Sequence, residues 1–365
     1  MELKRFAGTV FLMFLVWSVV GCNNNDNRTI ETGIRNTLHE TMDAALEANI
    51  GVNEPGLTIS VWQDGVELYS NSRGISRPGQ AINEKTPFRL ASVSKTFTAL
   101  AIMKLYERGS VNLHDSVLYY LPQLDESWRP ITLHHLLSHR SGIPDYYNDF
   151  DSAEILPNGI TAKNIIDYFI QNPELEFEPN SKGDYSNTGF VLLAEVVRAV
   201  SGLSFTDFMQ VEFFHPLEMT ESFIWSEEVS PTPQTAMNFA QTHNIFGQEF
   251  YGIGSASQVS SMEDMIKFVL ALMEGQIIQP NTLQLMLQIH NERLFEEVNW
   301  KAGYGMLFFS ENNLALFGHQ GGNDGFRTIF VVDPNINSFI IILGNGGDSL
   351  PDYTYLINLA GEFVN

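Results

Sequence analysis

Ser92 and Lys95 stand three residues apart in Pro87-Phe88-Arg89-Leu90-Ala91-Ser92-Val93-Ser94-Lys95-Thr96-Phe97, a spacing that puts a hydroxyl and an amine on one helix face. A serine hydroxyl is a weak nucleophile until a neighbouring base takes its proton, and a partly neutral amine can do so. For Lys95 this requires burial and nearby positive charge to hold the amine below its usual range. Phe97, Leu100, Ala101 and Leu105 recur at helical spacing and Gly109 supplies a stop, so a helix that buries one face begins near this pair. Ser92 then lies at the helix N-terminus, where free backbone N–H groups face whatever the serine attacks.

S-x-x-K alone also describes an ordinary helix start with a solvated lysine, and two further segments decide against that. Tyr185-Ser186-Asn187 follows the turn Pro179-Asn180-Ser181-Lys182-Gly183 and precedes an apolar run from Phe190 to Val200. His319-Gln320-Gly321-Gly322 follows the apolar run Leu314-Ala315-Leu316-Phe317. Serine–lysine, Tyr-x-Asn and basic-x-Gly in this order resemble the penicillin-recognising serine hydrolases: class C β-lactamases, serine D-Ala-D-Ala carboxypeptidases and related esterases. Leu136-Leu137-Ser138-His139-Arg140-Ser141-Gly142-Ile143-Pro144, Pro216-Leu217-Glu218-Met219 and Gly303-Tyr304-Gly305 look like segments of the same family, and the resemblance covers roughly residues 35 to 365.

The resemblance implies a β-lactamase/transpeptidase-like fold and a role for each matching residue. Ser92 is the nucleophile that becomes acylated, and Lys95 helps to deprotonate it. Tyr185 passes a proton to the leaving group and, as a phenolate stabilised by Lys95, activates the deacylating water. Lys95 and Tyr185 titrate as a pair, so which is the general base stays open at this point. Asn187 bonds the Lys95 side chain and a substrate amide. The N–H groups of Ser92 and Gly322 form the oxyanion hole. His319 departs from the Lys-Thr-Gly of most β-lactamases in the family and looks more like the peptidases, aminopeptidases and esterases. As a partner of Tyr185 or of a substrate carboxylate, it is expected to change charge near neutral pH. Gly321 is expected to let a substrate backbone approach the strand, and Arg327 is a candidate carboxylate clamp.

Other constellations point elsewhere and are weaker. His135 and His139 have i, i+4 metal-ligand spacing beside His134, but no Glu makes an H-E-x-x-H and the segment matches a structural stretch of the family, so no metal site is expected. G-x-S-x-G is absent, which excludes a nucleophile elbow of the α/β-hydrolase type. A Ser-Asp-Asn triplet is absent as well.

The elements that must position these residues follow from periodicity. Asn36 to Ala48 reads as a helix. Leu57 to Gln63 and Val66 to Ser70 alternate about Asp64-Gly65, a two-residue hairpin signal. Helical runs fill the middle: Thr132 to Leu137, Thr161 to Ile170, Phe190 to Val200, Phe205 to Phe214, and Met262 to Met273 behind a Ser260-x-x-Glu263 capping box. Strand character returns at Tyr304 to Phe309, Leu314 to Phe317, Thr328 to Val332 and Phe339 to Leu343, and Tyr353 to Phe363 is a final helix. The expected architecture is an α/β fold: an antiparallel sheet flanked by helices, from about 31–130 and 300–365, with an all-helical lobe, about 131–299, inserted into it. The site falls in the cleft between them.

Residues 1–21 carry Lys4 and Arg5 and then an apolar core from Val10 to Val20, too short for a stable span, and read as an export signal. Cys22 is the only cysteine, so an intrachain disulfide is impossible, and Val20-Gly21-Cys22 resembles a bacterial lipoprotein cleavage site whose thiol carries the lipid. The segment 22–30 reads as a polar, disordered tether to the enzyme domain at 31–365. The formal charge of −23, which becomes about −24 without the signal, disfavours nucleic acid and anionic membrane surfaces as partners. With 44% apolar residues the chain can bury a large core.

The sequence therefore predicts a serine hydrolase of the bacterial cell envelope, lipid-anchored, working through a Ser92 acyl-enzyme without metal or organic cofactor. Its substrate is a small molecule or peptide, with peptidoglycan stem peptides among the candidates. D-Ala-D-Ala carboxypeptidase or other D-amino-acid peptidase, carboxylesterase and β-lactamase remain alternatives. So does a catalytically silent module that binds cell-wall peptides, against which the intact Ser92, Lys95, Tyr185 and Asn187 argue.

Overall fold

Asp64 and Gly65 both take left-handed backbone angles, with φ of 52° and 74°, and close a two-residue turn that pairs Gln63 with Val66. The strands on either side, Leu57–Gln63 and Val66–Arg73, begin the antiparallel sheet anticipated from the sequence. A computed structural model describes residues 24–149, 160–229, 232–239, 251–294, 300–309, 316–323 and 325–364. Its main sheet has seven strands in the order Val66–Arg73, Leu57–Gln63, Ser338–Gly344, Phe326–Asp333, Phe317–Asn323, Leu307–Phe308 and Lys301–Ala302. The two ends of the chain meet where Leu57 pairs with Gly344.

Alternation along Phe326–Asp333 sends Ile329 and Val331 to one face and Phe330 and Val332 to the other, and both faces are covered. On the first face the helices Asn24–Asn49 and Tyr353–Gly361 bury Leu38, Met42, Leu46, Leu356 and Ile357 against Ile59 and Ile342. On the second, Ser94–Glu107 and the helices of the middle segment share an apolar core with the sheet. There Phe97 stacks on Phe268 at 4.0 Å and Phe268 meets Phe330 edge-on at 6.4 Å. Double burial explains why Ser338–Gly344 is buried throughout, with Phe339 to Leu343 unbroken by polar residues.

The structure corrects four local expectations. The middle segment is not all helical: Phe223–Ile224 and Gln258–Ser260 form a three-stranded antiparallel sheet with Phe88–Arg89, and strands of two or three residues are too short to show alternation. The last long middle helix, Met262–Met273, is capped by Ser261, whose hydroxyl accepts from the Asp264 N–H, one residue beyond the expected Ser260/Glu263 box. Strand character at 304–309 is broken, since Gly303 N donates to Met306 O and separates Lys301–Ala302 from Leu307–Phe308. Finally, the expected tether is helical from Asn24. Once Leu38, Met42 and Leu46 are docked the helix is nucleated, and extension towards the N-terminus gains a backbone bond per residue. Residues 1–23, including Cys22, and residues 314–315 of the expected Leu314 to Phe317 strand lie outside the described residues.

Candidate active site

Ser92 sits in a single 3₁₀ turn, Ala91–Val93, that leads directly into the helix Ser94–Glu107. Ala91 adopts φ 48°, a left-handed conformation that costs a residue with a Cβ about 1 kcal/mol or more, so the surroundings must hold it. They do so through Leu90, whose N–H donates to Gln258 O at 2.8 Å and whose carbonyl accepts from Thr328 Oγ1 at 2.7 Å. The short Gln258–Ser260 strand absent from the sequence reading thus fixes the turn that carries Ser92.

Lys95 is fully buried, and its Nζ contacts three oxygens: Ser92 Oγ at 3.2 Å, Asn187 Oδ1 at 2.6 Å and the Ser255 carbonyl at 2.9 Å. Burial pulls the ammonium down to about 7, against the opposing pull of the Asp145 carboxylate. The expected neighbouring positive charge is not what lowers it; desolvation is. The amine is thereby brought from the ordinary lysine range towards neutrality, the direction in which it could accept a proton.

Tyr185 and Asn187 lie where the sequence placed them, at the start of the helix Asn187–Ser201, whose cap is the Ser186 hydroxyl accepting from Gly189 N. The Tyr185 ring stacks on His139 at 4.6 Å and carries Lys95 Nζ 4.8 Å from its centroid. Burial drives the phenol well above its ordinary range while a hydrogen bond with the Ser92 side chain pulls the other way, so Tyr185 is a neutral phenol at neutral pH. His139 is wholly buried and accepts from Ser186 N at 3.0 Å through Nδ1. His135 instead closes a capping box with Thr132, so the i, i+4 pair supports the Tyr185 segment and its own helix. Among the described residues no group of three or more His, Cys, Asp or Glu side chains could hold a metal ion.

Asp145 is the residue that sequence reasoning missed. Its Oδ2 accepts from Asn187 N at 2.7 Å and from Asn187 Nδ2 at 3.0 Å, and its Oδ1 accepts from Tyr147 N at 2.9 Å. The available signal was an acid directly after Ser141-Gly142-Ile143-Pro144, a segment matched to the family without singling out its neighbour.

His319, Gly321 and Gly322 all lie on the strand Phe317–Asn323, and one of their expected properties changes. His319 is buried, and desolvation with the nearby Lys95 charge holds its imidazole down to about 3, so it does not titrate near neutrality. Its Nδ1 donates to Gln320 O at 2.6 Å, which leaves Nε2 as an acceptor with no hydrogen-bond partner among the described residues. A Cβ on Gly321 would come 2.2 Å from Leu90 O and 2.9 Å from Ser92 N. The glycine thus admits the turn that carries Ser92. Gly322 is the exposed position, with open space where a Cβ would stand. Arg327, paired opposite Gly322, is engaged by Asp348 and is not a free clamp.

Comparison with known proteins agrees with this geometry. A family model described as Beta-lactamase matches residues 37–364. Penicillin-binding protein 4* of Bacillus subtilis is 28% identical, over 84% of this chain and 71% of the relative. Protein flp of Staphylococcus aureus is 26% identical over 86% of this chain, which spans 64% of that relative. Among solved structures, a penicillin-binding protein homologue from Pyrococcus abyssi superposes with a TM-score of 0.73 at 25% identity, covering 90% of this chain and 76% of that one. The D-amino acid amidase of Ochrobactrum anthropi shares the fold at a TM-score of 0.76 and 22% identity, covering 91% and 99%. With Ser92, Lys95 and Tyr185 gathered in one buried cluster, the chain belongs to the Beta-lactamase family and is a serine hydrolase of that family.

Proposed function

We propose that the protein hydrolyses amide or ester bonds through an acyl-enzyme on Ser92, with a D-amino-acid peptide or amide as substrate, as for a D-Ala-D-Ala carboxypeptidase or other D-amino-acid peptidase. The observation that carries the chemistry is the trio of contacts around Lys95 Nζ. Lys95 takes the Ser92 proton and neutral Tyr185 returns a proton to the leaving nitrogen or oxygen, while the N–H groups of Ser92 and Gly322 receive the oxyanion. The D-amino acid preference is supported by the likeness to a D-amino acid amidase and to penicillin-binding proteins. A neutral His319 supplies no cation for a substrate carboxylate, which weighs against a dedicated β-lactamase and keeps carboxylesterase as the second reading.

Residues 1–22 support export and lipid attachment at Cys22, with the enzyme held at the cell envelope near peptidoglycan stem peptides. Cys22→Ser should release the protein from the membrane fraction. For the chemistry, a fluorescent penicillin and a fluorophosphonate should both be traced by mass spectrometry to Ser92, and Ser92→Ala should abolish labelling and lower ester and D-amino acid amide turnover by several orders of magnitude. Labelling at another serine, or retained turnover in Ser92→Ala, would exclude the acyl-enzyme reading. Relative rates on D-alanyl peptides, simple esters and β-lactams separate the substrate classes.

A further inference from the structure

We propose that Asp145 is a positioning residue for acylation: by accepting from the Asn187 side chain it fixes the amide so that the lone pair of neutral Lys95 faces Ser92 Oγ. This rests on the acyl-enzyme reading above and adds a residue that does not touch the substrate.

A carboxylate can only accept hydrogen bonds, so Asp145 Oδ2, 3.0 Å from Nδ2, forces the Asn187 NH₂ towards itself and Oδ1 towards Lys95. Oδ1, 2.6 Å from Nζ, is a pure acceptor, and so is the Ser255 carbonyl at 2.9 Å. A neutral amine has two hydrogens and one lone pair. Both hydrogens are claimed by these two oxygens, and the lone pair is left for the remaining neighbour, Ser92 Oγ at 3.2 Å. With the amide reversed, Nδ2 would donate to Lys95 and compete with Ser92 for that lone pair. The adjacent Tyr146 bonds the side-chain hydroxyl of Ser255, the residue whose carbonyl is the other acceptor, at 2.8 Å. Asp145 and Tyr146, consecutive in the chain, thus each bond one of the two residues whose oxygens face Lys95. In the step so directed, Ser92 Oγ bonds to the substrate carbonyl carbon as its proton passes to Lys95 Nζ. Collapse of the tetrahedral adduct then breaks the bond to the leaving nitrogen or oxygen, which takes a proton by way of Tyr185.

The titratable groups around Asp145 are Lys95 from the nucleophile helix, Tyr146 and Tyr147 on its own segment, Tyr185 before the Asn187 helix, and His139 and His319, which face Lys95 and are held neutral by burial. Lys95 is the cation its charge supports. Removing the carboxylate therefore lowers the lysine further.

The test measures acylation by a neutral chromogenic ester, with kcat and KM resolved from pH 5 to 9, in the wild type, Asp145→Asn, Asn187→Ala and the double variant. Asp145→Asn should leave KM within about twofold, lower the limiting acylation rate by about tenfold or more, and move the acid limb to lower pH. In the Asn187→Ala background the same change should cost no further limiting rate, because no amide is left to orient. Unchanged rate and pH profile in Asp145→Asn, or an equal loss with and without Asn187, would overturn the role of Asp145 while Ser92 labelling still stands. Wild-type protein not labelled at Ser92 would fail the underlying reading instead. If Asp145→Asn does not fold, Asp145→Ser removes the charge with less steric demand and carries the same comparison.

Discussion

Gly321 and Ser92 are packed so closely that a Cβ on the glycine would stand 2.9 Å from the Ser92 backbone nitrogen, as well as 2.2 Å from Leu90 O and 2.7 Å from Thr328 Oγ1. Backbone atoms cannot yield as a flexible side chain does, so Gly321→Ala should displace the nucleophile turn. We expect a loss of about 1–3 kcal/mol in stability and a much larger fall in labelling. Gly322→Ala meets open space and should match the wild type in thermal melting. Melting temperature together with fluorophosphonate labelling checks the pair, and equal behaviour of the two variants would contradict the packing.

Lys95 and Tyr185 should behave as one unit. Lys95→Ala and Tyr185→Phe each lower acylation strongly, and the double variant should be scarcely worse than the worse single one, since both act on the Ser92 proton path. A double-mutant cycle on a neutral ester measures this. Losses that multiply would mean separate steps.

The acid limb of wild-type acylation should have its midpoint near the Lys95 value of about 7, with activity lost as falling pH protonates the amine. His319 should contribute nothing in the same window, because its imidazole, held down to about 3, is neutral throughout. The ratio of kcat/KM for a carboxylate-bearing substrate and its neutral analogue should then be flat from pH 5 to 8, and His319→Gln should leave it flat. A step in the wild-type ratio near pH 6.5 that disappears in the variant would restore a cationic role for His319.

A second histidine group also contributes to acid stability. His134 bonds Tyr304 Oη at 2.6 Å and is held down to about 4 by burial, with His290, His135, His114 and Arg140 adding like charge. Between its ordinary 6.5 and about 4 the unfolded chain binds more protons than the folded one. The stability is therefore complete above 6.5 and lost as pH falls towards 4. Thermal melting from pH 7 to 4 should show this slope, and His134→Gln should make it shallower, with His139 and His319 keeping the remainder.

The sequence by itself named the candidate site residues. Ser92 with Lys95 and Tyr185 with Asn187 are short-range patterns that sit at the helix starts their spacing indicated, whereas His319 with Gly321 lies on a strand that begins at Phe317, where the apolar run ends. The Asp64-Gly65 hairpin and the long amphipathic helices were legible for the same reason: their signals are complete within one window of chain. Tertiary structure alone decided the states of those residues. Lys95 and His319 are both pushed towards their neutral forms because both are stripped of water, and desolvation is a property of everything packed around a side chain. Asp145 and the Ser255 carbonyl reach Lys95 from 50 and 160 residues away, and the second directly. Gly321 is required by a turn more than two hundred residues earlier in the chain. No local pattern encodes such contacts, because the partners become neighbours only when the sheet and helices close on one core.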